Sequence, residues 1–223
     1  GLVQTGTGLA CHSLQLFNPI YSPAKSNITS VDFAPKQDFT TGDVPRSVVM
    51  GDIDGDGKPD MVYANYQSNS IAIARNTSVR GSINSNSFGT PVNLTPQVIG
   101  FNPLAVALGD IDGDGKQDLV FTDDNNNNVY IAKNLAANGS ITGSSFGTIQ
   151  TFSIPGIGGA LGIADIDGDG RLDIAVADIT GNTVSVIRNI STRGGTPIIS
   201  FDQAICFPTA SMPKSIAIGD IDG

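Results

Sequence analysis

The sequence predicts an all-β fold, a β-propeller built from four-stranded antiparallel blades. Three observations predict it: a repeat of about 55 residues, four short apolar runs in each repeat, and a composition suited to turns. Gly accounts for 27 of the 223 residues, charged residues for only 15%, and Ser, Thr and Asn make up the difference. Such a mix favours short strands and tight turns over helices.

The repeat is fixed by two independent markers. An acidic motif begins at Asp52, Asp110, Asp165 and Asp220, with spacings of 58, 55 and 55. An aromatic recurs at Phe33, Phe88, Phe146 and Phe201, with spacings of 55, 58 and 55. From the first Asp of each full motif to the next Phe the distance is always 36 residues; from Phe to the following Asp it is 19, 22, 19 and 19. One unit therefore carries three extra residues, near "TPQVIGFNP".

Within the first unit, "SVVMGD" enters the motif, "DMVYAN" leaves it, and "SIAIARN" and "FGTPVNL" follow. The second unit reads "AVALGD", "DLVFTD", "NVYIAKN" and "FGTIQTF"; the third reads "LGIAD", "DIAVAD", "TVSVIRN" and "FDQAICF". Each run is too short and too weakly helical in period for an amphipathic helix. Stacked β-sandwiches need about 100 residues per module and fit the period less well. The small, apolar first strand is expected innermost, where blades crowd round an axis. The expected divisions are an N-terminal segment 1–46 with outer strands of a partial blade, blades at 47–103, 104–159 and 160–214, and the start of a further blade at 215–223. The last motif stops as "GDIDG", and no starting Met or signal peptide is legible. The expectation is a piece of a longer chain that continues; the alternative is a four-bladed ring in which Gly1 to Leu94 supplies the missing outer strands.

The motifs "DIDGDGKPD", "DIDGDGKQD" and "DIDGDGRLD" place Asp at positions 1, 3, 5 and 9 and Gly at 6. All 21 acidic residues are Asp, and 14 of them lie in the four motif copies, so the net charge of −9 is concentrated. Short carboxylates alternating along a tight loop converge on one point and suit a hard cation with many oxygen ligands; calcium fits better than magnesium, which prefers to keep its waters. An EF-hand is excluded, because its twelfth position needs a bidentate Glu and here holds Tyr63, Phe121 and Val176. As bare turns, three such loops would carry unrelieved repulsion.

These motifs are similar to the calcium loops of FG-GAP/VCBS repeats, the family that includes the integrin α-subunit head, and "SFGTP" and "SSFGT" resemble the stretch that names it. The resemblance spans roughly Ser30 to the end. It implies a propeller, commonly seven-bladed, with calcium in the loop between the first two strands of a blade. The ligands it implies are Asp52, Asp54, Asp56, the Lys58 carbonyl and Asp60 in the first loop. In the second they are Asp110, Asp112, Asp114, the Lys116 carbonyl and Asp118, and in the third Asp165, Asp167, Asp169, the Arg171 carbonyl and Asp173. Asp220 and Asp222 begin a fourth, incomplete site.

Several function classes are disfavoured. No basic patch exists to meet nucleic acid, and no apolar run is long enough to span a membrane. The only histidine, His12, lies outside the repeats, and no nucleophile has a recognisable setting, so a catalytic site is not expected. The reading is a calcium-stabilised, secreted or cell-surface module for adhesion or protein binding; a glycan-binding propeller, or one accessory to an enzyme, is the alternative. The ligand would sit on the face opposite the calcium loops, at "NYQSN", "DDNNNN" and "DITGN", which otherwise read as hairpin turns. Five sequons, beginning at Asn27, Asn76, Asn93, Asn138 and Asn189, add weak support for secretion. Cys11 and Cys206 either pair or remain as two thiols.

Overall fold

Period-2 alternation within short apolar runs builds the molecule. A computed structural model describes residues 35–192 and 199–221. The first sheet contains β1 (Pro45–Gly51), β2 (Asp60–Asn65), β3 (Ser70–Ala74) and β4 (Val92–Leu94). The second contains β5 (Pro103–Gly109), β6 (Asp118–Asp123), β7 (Asn128–Ala132) and β8 (Gln150–Ser153). The third contains β9 (Gly158–Ala164), β10 (Asp173–Asp178), β11 (Thr183–Ile187) and β12 (Ile205–Pro208). Each sheet runs first to fourth strand in sequence order, every pair antiparallel. The described residues contain no helix. The predicted blades are present, and the expected first strands β1, β5 and β9 lie side by side.

Alternation decides which face of a blade meets which neighbour. In β2 and β3, Val62, Ala64, Ile71 and Ile73 point to the second blade and share a core with Leu119, Phe121 and Tyr130. The intervening residues Val120, Val129 and Ile131 point the other way and pack with Ile174, Val176 and Ile187 of the third blade. A strand covered on both faces is buried along its whole length: β6 is buried at all six positions, its apolar centre Leu119–Phe121 flanked by the hydrogen-bonded polar residues Asp118, Thr122 and Asp123. At the first blade the cover differs: Val48 of β1 is 63% exposed, whereas its counterpart Val106 in β5 is 7% exposed between two blades.

The three-residue insertion has a structural use. It lengthens the connection from the first to the second blade and drives Phe101 into the core, edge-on to both Phe121 and Tyr130. The marker aromatics also join blades: Phe88 meets Phe39 edge-on, and Phe201 meets Phe152 in the same way, both at 5.0 Å between centroids. Three of the markers also pair with the Asn two residues past their own blade's third strand: Asn76 with Phe88, Asn134 with Phe146 and Asn189 with Phe201.

Two expectations are modified. Residues 213–220 form no strand, although Ile216 and Ile218 lie against Gly162 of β9, where a next inner strand would run. Cys206 is exposed on β12 as a free thiol; Cys11, His12, Asn27, Phe33 and Asp222 lie outside the described residues, as do residues 1–34 of the N-terminal segment 1–46.

Candidate metal centre

The acidic loops are hairpin connections between the first two strands of each blade: Gly51 pairs with Asp60, Gly109 with Asp118 and Ala164 with Asp173. The chain reverses through two left-handed glycines per loop. Gly55 and Gly57 have φ of 71° and 84°, Gly113 and Gly115 of 77° and 89°, and Gly168 and Gly170 of 78° and 83°. A side chain is disfavoured at these angles, so both glycines of each "DGDG" are required.

Backbone N–H groups then aim the carboxylates. Asp52 at position 1 accepts hydrogen bonds from the amides of Asp56 and Gly57 (3.1 and 2.9 Å), and Asp110 from those of Asp114 and Gly115 (3.0 and 2.9 Å). Asp165 accepts from the amides of Gly168 and Gly170, both at 2.8 Å. At position 9, one oxygen accepts from the amide of position 2, as Ile53 donates to Asp60, Ile111 to Asp118 and Ile166 to Asp173. The other oxygen accepts from the amide of Asn76, Asn134 or Asn189 at the end of the third strand.

The result is three equivalent groups, Asp52–Asp54–Asp60, Asp110–Asp112–Asp118 and Asp165–Asp167–Asp173, each with one oxygen per residue inside a 4.8 Å span. Each group could hold a metal ion, and a set made only of carboxylate oxygens suits a hard cation such as calcium. Burial makes the charged form costly: desolvation, helped by the charges of Asp112 and Asp114, pushes Asp118 up to about 6 despite two amide hydrogen bonds, and burial raises Asp60 likewise.

The position-5 residues Asp56, Asp114 and Asp169 stand outside these groups. Each accepts a hydrogen bond from the position-7 amide of Lys58, Lys116 or Arg171 (3.0, 2.9 and 2.9 Å). The position-7 side chains of the later loops reach the third-to-fourth-strand connection, Lys116 Nζ donating to the Ala136 carbonyl and Arg171 Nε to that of Asn189. Asp220 is exposed, without the closed loop of the other three.

Two residues per blade were not among the predicted site residues. Arg75, Lys133 and Arg188 form ion pairs with the Asp residues at positions 3 and 5 of their own loops. Next to them, Asn134 Nδ2 donates to the Gln117 carbonyl of its own loop and to the Ile53 carbonyl of the preceding one, at 3.0 and 2.8 Å. Asn189 does the same with Leu172 and Ile111. The signal was present in "ARN", "AKN" and "IRN", a basic residue followed by Asn at the same place in every unit. Because Asn76 and Asn189 are buried and bonded in this way, those two sequons offer no accessible amide in the folded chain, whereas Asn93 and Asn138 are exposed.

Repeated four-stranded blades, each with an acidic hairpin loop between its first two strands, define a propeller-type repeat protein. The sequence matches the FG-GAP-like repeat three times, over residues 52–121, 110–176 and 165–223, and the chain belongs to that family. No curated protein matches the chain.

Proposed function

We propose that the chain is a non-catalytic, calcium-stabilised extracellular β-propeller module that binds a protein partner, as in adhesion. The observation that carries this reading is the threefold recurrence, once per blade, of a group of three aspartates close enough to share one metal ion. Asp at positions 1, 3, 5 and 9 and the carbonyls of Lys58, Lys116 and Arg171 are the proposed ligands, with position 5 joining when the metal arrives. Bound calcium supplies the positive charge that the buried carboxylates lack; the chain's own amides and left-handed glycines hold the oxygens ready. So many protein oxygens leave little of the coordination shell to a substrate, which makes the metal structural.

Membership of a repeat family of binding modules supports a binding role, and no helix of the described residues is long and apolar enough to cross a membrane. The proposed ligand face is the end opposite the calcium loops, formed by residues 65–69, 123–128 and 178–182. At a dissociation constant typical of extracellular modules and free calcium about tenfold above it, each site adds roughly 1.4 kcal/mol. Thermal unfolding in EGTA and in millimolar calcium tests the reading. The melting temperature should rise in calcium; coincident curves would remove it. Glycan-array binding with and without calcium separates a protein partner from a sugar.

A further inference from the structure

The three basic residues at the ends of the third strands form a second layer of the metal centre. Arg75 Nε pairs with Asp54 and its Nη2 with Asp56 at 2.7 Å. Lys133 Nζ pairs with Asp112 and reaches Asp114 at 3.1 Å. Arg188 Nε pairs with Asp167 and its Nη2 with Asp169 at 2.9 Å. The sequence separation is 21 residues to position 3 in all three blades. Two chemically different cations thus occupy one geometric position, which points to charge rather than side-chain shape as the common property.

Each cation touches one Asp that belongs to the metal-sized group and one, at position 5, that does not. The side chains of Asp54 and Asp112 have no solvent contact, so water cannot neutralise them. Hydrogen bonds to Asp54 and Asp167 hold the Arg75 and Arg188 guanidinium groups above their ordinary range. Burial works against the Lys133 ammonium, but its bonds to Asp112 and Asp114 outweigh that, so it too is held above its ordinary range.

We propose that Arg75, Lys133 and Arg188 are built-in counter-cations that compete with calcium for their loops, holding each loop in shape without metal and raising the calcium concentration needed to fill it. The inference rests on the calcium reading above. A position-5 carboxylate that joins the other three around a metal must share its charge with its Arg or Lys or give that partner up, and Asp169 is paired with Arg171 as well as with Arg188. A positive charge a few ångströms from a divalent ion also opposes its binding at any dielectric constant. The cation therefore supports the metal-free loop and opposes the metal-bound one.

The test is calcium titration by calorimetry, at fixed ionic strength, of the full chain and its Arg75→Gln, Lys133→Gln and Arg188→Gln variants, with melting curves of each in EGTA. Each variant should bind calcium at one of its sites about tenfold more tightly than the parent. Each should melt lower than the parent in EGTA and recover in calcium. Lys133→Arg, which keeps the charge, should bind no more tightly than the parent. Unchanged or weaker calcium binding by the Gln variants overturns the proposal while leaving the calcium reading intact. So does failure of the Gln variants to fold in calcium as well as in EGTA, since the cation would then be needed whether or not metal is present. Absence of any calcium response in the parent and all variants overturns the calcium reading itself, and the competition with it.

Discussion

Asp118 shows at residue scale what the loops cost without metal. It is fully buried and its carboxyl is pushed up to about 6 from an ordinary 3.8, first by desolvation and then, against two amide hydrogen bonds, by Asp112 and Asp114. Between those two values the folded chain holds a proton that the unfolded chain has released, so stability falls as pH rises through the window. For Asp118 alone the loss is about 3 kcal/mol. Asp60 and Asp123 are raised by burial and act in the same sense, whereas Asp169, lowered chiefly by the Arg171 amide, acts in the opposite sense but only below its ordinary 3.8. In EGTA the chain should therefore become less stable from pH 4 to pH 6. In saturating calcium the slope should reverse, because protons then compete with the metal. Chemical denaturation at both pH values, with and without calcium, measures both slopes.

Single residues also explain the Asn-rich hairpins. Asn69, Asn127 and Asn182 hold φ of 52°, 44° and 55° at the same point of the connection from the second to the third strand. Asn tolerates this left-handed conformation better than most residues. One Asn per hairpin is thus turn chemistry, and the first residue of each loop, Asn65, Asp123 or Asp178, is buried and structural as well. Asn127→Gly should leave the melting temperature almost unchanged, whereas Asn127→Val should lower stability by about 1–2 kcal/mol in denaturant titration.

At the scale of elements, the blades were legible because their strands alternate and their markers keep register. Two spacings located the loops, the strands and the insertion. What the insertion does was not legible: nothing in "TPQVIGFNP" says that Phe101 turns inward to cap the aromatic pair Phe121 and Tyr130, stacked at 5.3 Å. Truncating it should be costly. Phe101→Ala should destabilise the chain by about 3–5 kcal/mol, as for other buried aromatics, and guanidinium unfolding should show it. The site was half legible for a related reason. Carboxylates crowded into nine residues announce themselves, but Arg75, Lys133 and Arg188 meet them from a strand about twenty residues away, a contact that exists only once the hairpin and the next strand are paired. The left-handed role of the first Gly in each "DGDG" was open to inspection, yet the pattern could be matched to a metal loop without it.

At the scale of the molecule, the loops are linked rather than merely repeated. Asn134 ties the first loop to the second blade, and Asn189 ties the second loop to the third, each through one amide shared between two backbone carbonyls. The first loop is held further by the Gly139 amide, which donates to the Asp54 carbonyl at 2.9 Å. In the third loop Asp165 and Asp167 are exposed, whereas Asp54 and Asp112 in the first two loops are buried. A loop braced by the next blade arrives at its metal geometry at less entropic cost, and its carboxylates act through less solvent. The three sites should therefore differ in this chain, with the first two binding calcium more tightly than the third. A calorimetric titration should resolve two tight sites and one weaker one. Asn189→Ala should weaken the second site towards the third without changing the residues that surround the metal. Three identical sites would show that a blade's own residues, not its neighbour, set the affinity.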